Sequence, residues 1–272
     1  MPLSIYLRKG VWEIERASHF NAERCYSKSS GYSPNLTMQA YLRQSLLGAA
    51  ALWLAAAASA ADTATVSGKI SFKGAKPALR PLTMDATPAC AKQHAKPMLS
   101  EEAVVAADGS LGNVFVYVKA GLPSRQWPVT KTPVTVEQLG CVYKPHVVGT
   151  MVGQEVQFLN NDPTGHNVHP LPRLNNEWNQ SQPPKGEPIV RSFAKVEIGL
   201  PVKCNLHPWM RVYVNVVDNP FFAVTGTDGS FSLKGLPAGD YTLAAWHERF
   251  GTQELKVKVA AGGTAAANFT FK

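Results

Sequence analysis

The chain's 272 residues leave room for more than one domain. Its 27 Lys and Arg against 19 Asp and Glu give a formal charge of +8. No run of five or more basic residues concentrates that charge. Nucleic-acid binding therefore has little support, and at most a mildly basic face for an acidic partner is expected.

Near the N-terminus, Met38-Gln39-Ala40-Tyr41-Leu42-Arg43 opens a secretory signal. An apolar run from Leu46 to Ala57 follows, then Ala58-Ser59-Ala60 as a small-residue cleavage site. Residues 38–60 are read as the signal peptide. The apolar run is too short for a comfortable span, so no stable membrane span is expected after cleavage. A periplasmic or secreted location follows. Residues 1–37 look like neither a signal nor a folded domain and are read as a non-native upstream leader, with Met38 as the start. A long cytoplasmic leader is the alternative. Residues 1–60 carry six Lys or Arg and three Asp or Glu, so the exported chain keeps 21 against 16, or +5.

Export changes the reading of the cysteines. Cys25 precedes the signal, which leaves Cys90, Cys141 and Cys204, an odd number for an oxidising compartment. One solution pairs Cys90 with Cys141 and keeps Cys204 as a thiolate. Two unpaired buried thiols are the alternative, since spacing alone fixes no bridge.

Along the mature chain, Val66, Ile70 and Phe72 alternate with Ser67, Lys69 and Ser71, which predicts a strand. Residues 78–110 carry Pro81, Pro88 and Pro97 and give no clear element. Val114, Val116 and Val118 predict a second strand, and Pro123, Pro128 and Pro133 then mark a linker or long loop. Strand-like runs resume at residues 135–143 and 153–159, the latter with Val156 and Phe158 inward. Leu171 to Pro188, rich in Asn, Gln and Pro, reads as a surface excursion. Val212, Val214 and Val216 alternate again. From Asn219 onward come Asp228-Gly229 and Ala238-Gly239 turns between short strands, in a block too small for an independent core. Many short strands with Gly and Pro turns predict an all-β sandwich or barrel.

The chemistry gathers in Cys204-Asn205-Leu206-His207-Pro208-Trp209-Met210, between two strand-like runs. Thiolate and thioether sulfur with imidazole select copper, and one Cys with two His and a weak axial Met is the blue-copper set. A second His stands upstream at His166, just after another strand-like run. Zinc is the rival metal, but a single Cys with a Met favours copper. His169 has His-x-x-His spacing with His166 and is read as a satisfied or exposed histidine. His94 and His146 are read as ordinary loop histidines. His247-Glu248 is read as a strand-end pair, because nothing else completes a catalytic set.

The 204–210 stretch resembles the ligand loop of the cupredoxins, type 1 blue-copper proteins of amicyanin and plastocyanin type, and especially the short amicyanin-type loop. His166-Asn167-Val168-His169 resembles that family's upstream ligand segment. The resemblance implies His166, Cys204, His207 and Met210 as ligands of one type 1 copper ion, with Asn167 behind them tying the two ligand loops together. It also implies an electron path through an exposed edge of His207. Pro208 and Trp209 would form a docking rim beside it.

The C-terminal block is similar to a second family. Thr227-Asp228-Gly229-Ser230-Phe231 and Leu236-Pro237-Ala238-Gly239-Asp240-Tyr241 resemble the carboxypeptidase regulatory-like, transthyretin-like sandwich. That family's first strands are missing from residues 219–272, and residues 65–70 and 113–118 resemble them. The expected organisation is a cupredoxin-like Greek-key β-sandwich over residues 126–218, set inside a smaller Ig/transthyretin-like sandwich. Residues 61–125 and 219–272 would build the latter. The functional expectation is an exported, non-enzymatic carrier of single electrons between redox partners such as a cytochrome c or a dehydrogenase. The alternative is a periplasmic copper-binding or copper-delivery module with an interaction domain.

Overall fold

A computed structural model describes residues 63–272. The expected leader and signal peptide, and Cys25, lie outside the described residues. The described chain is all-β apart from α1 (Pro88–Ala91), a single turn with Pro88 at its start. Two strands come first, β1 (Thr63–Phe72) and β2 (Phe115–Ala120). Then follow β3 (Val134–Gln138), β4 (Tyr143–Lys144), β5 (Val147–Met151), β6 (Glu155–Asn160) and β7 (His166–Pro170). Next are β8 (Gln180–Gln182), β9 (Ile189–Ser192), β10 (Glu197–Lys203) and β11 (Arg211–Val217). The chain ends with β12 (Phe222–Val224), β13 (Ser230–Pro237), β14 (Gly239–His247), β15 (Gly251–Val259), β16 (Thr264–Ala266) and β17 (Phe269–Phe271).

These strands form four sheets around two main cores. In one sheet β1 pairs antiparallel with β13 and parallel with β16 and β17. Its companion has the order β12-β2-β14-β15. Val66 and Ile70 of β1 meet Val116 and Val118 of β2 and Leu243 of β14 in the core between them. Strands from both ends of the chain thus share one core, so the C-terminal strands bury their apolar faces against residues far upstream.

The other two sheets have the orders β5-β11-β10-β7-β8 and β4-β3-β6-β9. Val156 and Phe158 of β6 pack against Val202 of β10 and Val212, Val214 and Val216 of β11. The alternation read in these segments is therefore the inward face of a two-sheet core. Two segments differ from expectation. Residues 171–188 contain β8, which pairs with β7 and carries the buried Gln182. Gln182 donates to the backbone oxygens of Phe158 and Glu187, and those bonds anchor the excursion. Residues 80–98 do not add to the first sandwich: Leu82, Met84, Cys90, Ala91 and Met98 pack on the second core. Their apolar side chains follow no period of 2, so sequence periodicity could not assign them a face.

The cores meet along a seam of Phe115, Val147 and Val217, flanked by Tyr213, Phe222 and Trp246. This is why both faces of β2 are apolar near its start: Val114 and Val116 face one core and Phe115 the seam. Gly149 of β5 lies in the seam with no room for a side chain. A Cβ there would stand 2.4 Å from Phe115 and 2.6 Å from Phe222. Gly149→Ala is expected to destabilise the chain by about 1–3 kcal/mol through overpacking. Thermal unfolding checks this, and an unchanged or raised Tm would mean that the seam is loose.

Candidate metal centre

Hairpin geometry places the site. Lys203 at the end of β10 pairs with Arg211 at the start of β11, so residues 204–210 form the connecting loop. The Cys204 N–H donates to the Met210 carbonyl at 3.2 Å, and the Met210 N–H to the His207 carbonyl at 2.9 Å. These bonds curl the loop back on itself. Strand β7 lies on the other side of β10, with His169 opposite Lys203, and brings His166 to the same end of the sheet.

Three of the residues singled out in the sequence converge there. His166 Nδ1 is 2.9 Å from His207 Nδ1, and His207 Nδ1 is 3.6 Å from Cys204 Sγ. Ligand atoms of His166, Cys204 and His207 all lie within 4.8 Å of one another, and all three residues are buried. Met210 is fully buried in the adjoining core at the end of the loop. Cys90 and Cys141 are joined in a disulfide with a Cα–Cα distance of 5.6 Å, so Cys204 is the free cysteine of the described residues. Although Cys90 and Cys141 also lie near His207 and His166, their sulfurs are bonded to each other and offer no thiolate.

Asn167 joins the two ligand segments. Its backbone N–H points at Cys204 Sγ at 3.5 Å, and its side-chain oxygen accepts the Asn205 N–H at 2.7 Å. Burial alone would raise the Cys204 thiol pKa. Hydrogen bonding from His166 and from the N–H groups of Asn167, Leu206 and His207 outweighs it and brings the thiol below its ordinary range. These contacts shift Cys204 toward the thiolate, the form that binds metals.

A residue that the sequence reading passed over orients His166. The buried Asp162 carboxylate lies 2.9 Å from His166 Nε2. It also accepts the N–H groups of Gly140 at 2.7 Å and Cys141 at 2.9 Å. Both donors have left-handed backbone, with φ of 72° and 55°, which lets two successive N–H groups face one anion. Burial would raise the Asp162 pKa, but its bonds to His166, Cys141 and Gly140 hold it below the ordinary value. As an ionised acceptor it holds a proton on His166 Nε2, so a metal that displaces the Nδ1 proton would meet the Nδ1 lone pair. Nothing in Asn160-Asn161-Asp162-Pro163 marks this role, because Asp before Pro reads as a turn residue.

The expected exposed edge of His207 is not present. His207 is 3% exposed, and its Nε2 faces Cys90 Sγ at 3.6 Å. The reason is the packing of residues 82–98 on this core, with the disulfide fixing Cys90 over the ring. Closing a loop across a sequence separation of 51 contributes roughly 4 kcal/mol by chain entropy. Pro208 is exposed, whereas Trp209 is half-buried, 5.2 Å from the His207 ring, with its N–H donated to the Cys141 carbonyl at 2.9 Å. His169 is satisfied by Asn205 at 3.0 Å and Glu177 at 2.7 Å. His94 bonds the Gly140 carbonyl at 2.7 Å.

Residues 208–272 match the family model of the carboxypeptidase regulatory-like domain. The match begins inside the ligand loop and takes in β11 as well as β12 to β17. No characterised protein sequence matches the chain. Solved structures similar to it include amicyanin variants, a purple cupredoxin and a copper-containing nitrite reductase. An amicyanin variant in the Cu(I) state is 19% identical, with 37% of this chain and 97% of that chain covered and a TM-score of 0.28. A purple cupredoxin from Nitrosopumilus maritimus is 19% identical over 30% of this chain and 98% of its own, with a TM-score of 0.27. A copper-containing nitrite reductase from Thermus scotoductus SA-01 is 22% identical over 36% of this chain, with a TM-score of 0.28. The chain spans only 25% of that reductase.

Asp162→Asn keeps the shape but loses the charge that fixes His166. Its affinity for a divalent ion is expected to fall about 10- to 100-fold. Competition of Co2+ between the protein and a chelator measures this. Equal affinities would show that His166 needs no carboxylate.

Proposed function

We propose that the chain holds one type 1 copper ion and carries single electrons as an exported protein. One observation carries the reading: two imidazole nitrogens converge on the one free thiol of the described residues, inside a closed core. The donor types fit. His166 and His207 would bind through Nδ1 and Cys204 through its thiolate, with the Met210 thioether as weak axial donor. Copper bound there supplies a one-electron couple.

The chain's own part is to hold the donors still. Strands β7, β10 and β11 carry them, Asn167 ties their loops, and Asp162 fixes one imidazole. A rigid donor set rearranges little between oxidation states, which favours fast electron transfer. The Asn167 N–H directed at Cys204 Sγ tunes the sulfur. With His207 sealed, Trp209 is the aromatic contact leading outward. Leu206, 61% exposed, and the exposed Pro208 form an apolar rim where a redox protein such as a cytochrome c or dehydrogenase would dock.

Export fits the disulfide, since oxidising compartments are where such bonds persist. Among the described residues, no helix is long and apolar enough to cross a membrane. The domain organisation in this reading is a cupredoxin inserted into a regulatory-like sandwich. Its supporting observation is that β1 pairs with β13 and β2 with β14 across the whole intervening sequence. A carrier is preferred to a copper-delivery module because delivery needs an accessible, exchangeable ion, and every proposed ligand is buried.

Copper(II)-loaded protein is expected to show an intense visible thiolate-to-copper band and a type 1 EPR signal, both lost in Cys204→Ser. A protein verified to hold one Cu(II) without that band would falsify the assignment.

A further inference from the structure

A cleft of about 600 Å³ opens beside the ligand loop, where the two sandwiches meet. This is the size of a small-molecule site. Pro208, Trp209, the exposed Arg80 and the more buried His146 and Glu248 are among its lining residues. The last two come from opposite sandwiches and are bonded to each other, His146 Nε2 to Glu248 Oε1, each side chain only 11% exposed. Tyr213 packs edge-on against the His146 ring at 5.8 Å. With Nε2 donating to the carboxylate, the other nitrogen, Nδ1, carries the lone pair. It has no hydrogen-bond partner among the described residues. The sequence reading treated His146 as an ordinary loop histidine and Glu248 as a strand-end residue, because 102 residues separate them.

We infer that this cleft binds a small phenol or hydroquinone, its ring against Trp209 and its hydroxyl donated to His146 Nδ1. An aromatic wall suits a flat ring. A histidine held by a carboxylate suits a hydroxyl whose proton must leave. The inference rests on the proposed copper site and names its electron donor. Trp209 touches both the cleft and the ring of His207, so a bound phenol lies next to the sealed ligand. With copper(II) bound, the metal would supply the one-electron acceptor, and His146 Nδ1 would take the phenolic proton. The O–H bond would break, a neutral aryloxyl radical would leave, and His146 would become the cation paired with Glu248.

The test has two arms. Calorimetric titration of the metal-free chain with phenol should give saturable binding. It should weaken about tenfold in His146→Gln, the worth of one hydrogen bond to a buried acceptor. Ala86→Trp, which places a large ring in the cleft from an exposed lining position, should abolish it. In the copper-loaded chain, reduction by hydroquinone should saturate and slow in D2O. The ratio of its rate to that with hexaammineruthenium(II), which releases no proton, should fall about tenfold in His146→Gln. Absence of phenol binding by the wild-type chain, or equal binding by both variants, overturns the inference. Phenol binding that persists in a chain lacking a type 1 spectrum upholds the cleft and overturns the copper reading instead.

Discussion

A single buried carboxylate organises the end of the molecule that carries the candidate metal site. Asp162 accepts hydrogen bonds from the N–H groups of Gly140 and Cys141 and from the imidazole of His166. A buried carboxylate without such partners would be costly, and here the charge is offset on each side. Its partners are the two parts that must stay in register. One is the turn that carries the disulfide and covers His207. The other is the strand that carries His166. The lid and the floor of the site are thereby fixed by the same group, which connects the closure of the site to the aim of its ligand.

That closure gives the molecule its character. The His207 ring has the Cys90 sulfur at its outer nitrogen and Trp209 beside it. Residues 82–98 supply the cover, although they lie upstream of the sandwich they pack on. The exposed surface nearest His207 is therefore not an open histidine edge but the tryptophan and the cleft that it lines. The seam of Phe115, Val147 and Val217 sets the position of the second sandwich and so brings Glu248 to His146. In this account the smaller sandwich contributes to chemistry by completing a cleft.

What the sequence showed and what it hid follow from the range of the interactions. The all-β class and most strands were legible because alternation is local: Val114, Val116 and Val118 announce a strand whatever they meet. Attention to Cys204, His207 and Met210 came equally from local spacing, and His166 from its place after a strand. Asp162 was not legible, because its role depends on a turn 22 residues away and its own neighbours spell a loop. The cover over His207 was hidden for the same reason: the segment around Cys90 has no period to assign it a face. His146 and Glu248 are unremarkable singly and become a pair only when both sandwiches are folded.

The central claim is that one thiolate and two imidazoles hold a single copper ion. X-ray absorption at the copper edge of the loaded protein tests it most directly. One short copper–sulfur contact and two imidazole nitrogens are expected, with little change in these distances between Cu(II) and Cu(I). A copper ion bound by nitrogen and oxygen alone, with no short sulfur contact, would contradict it.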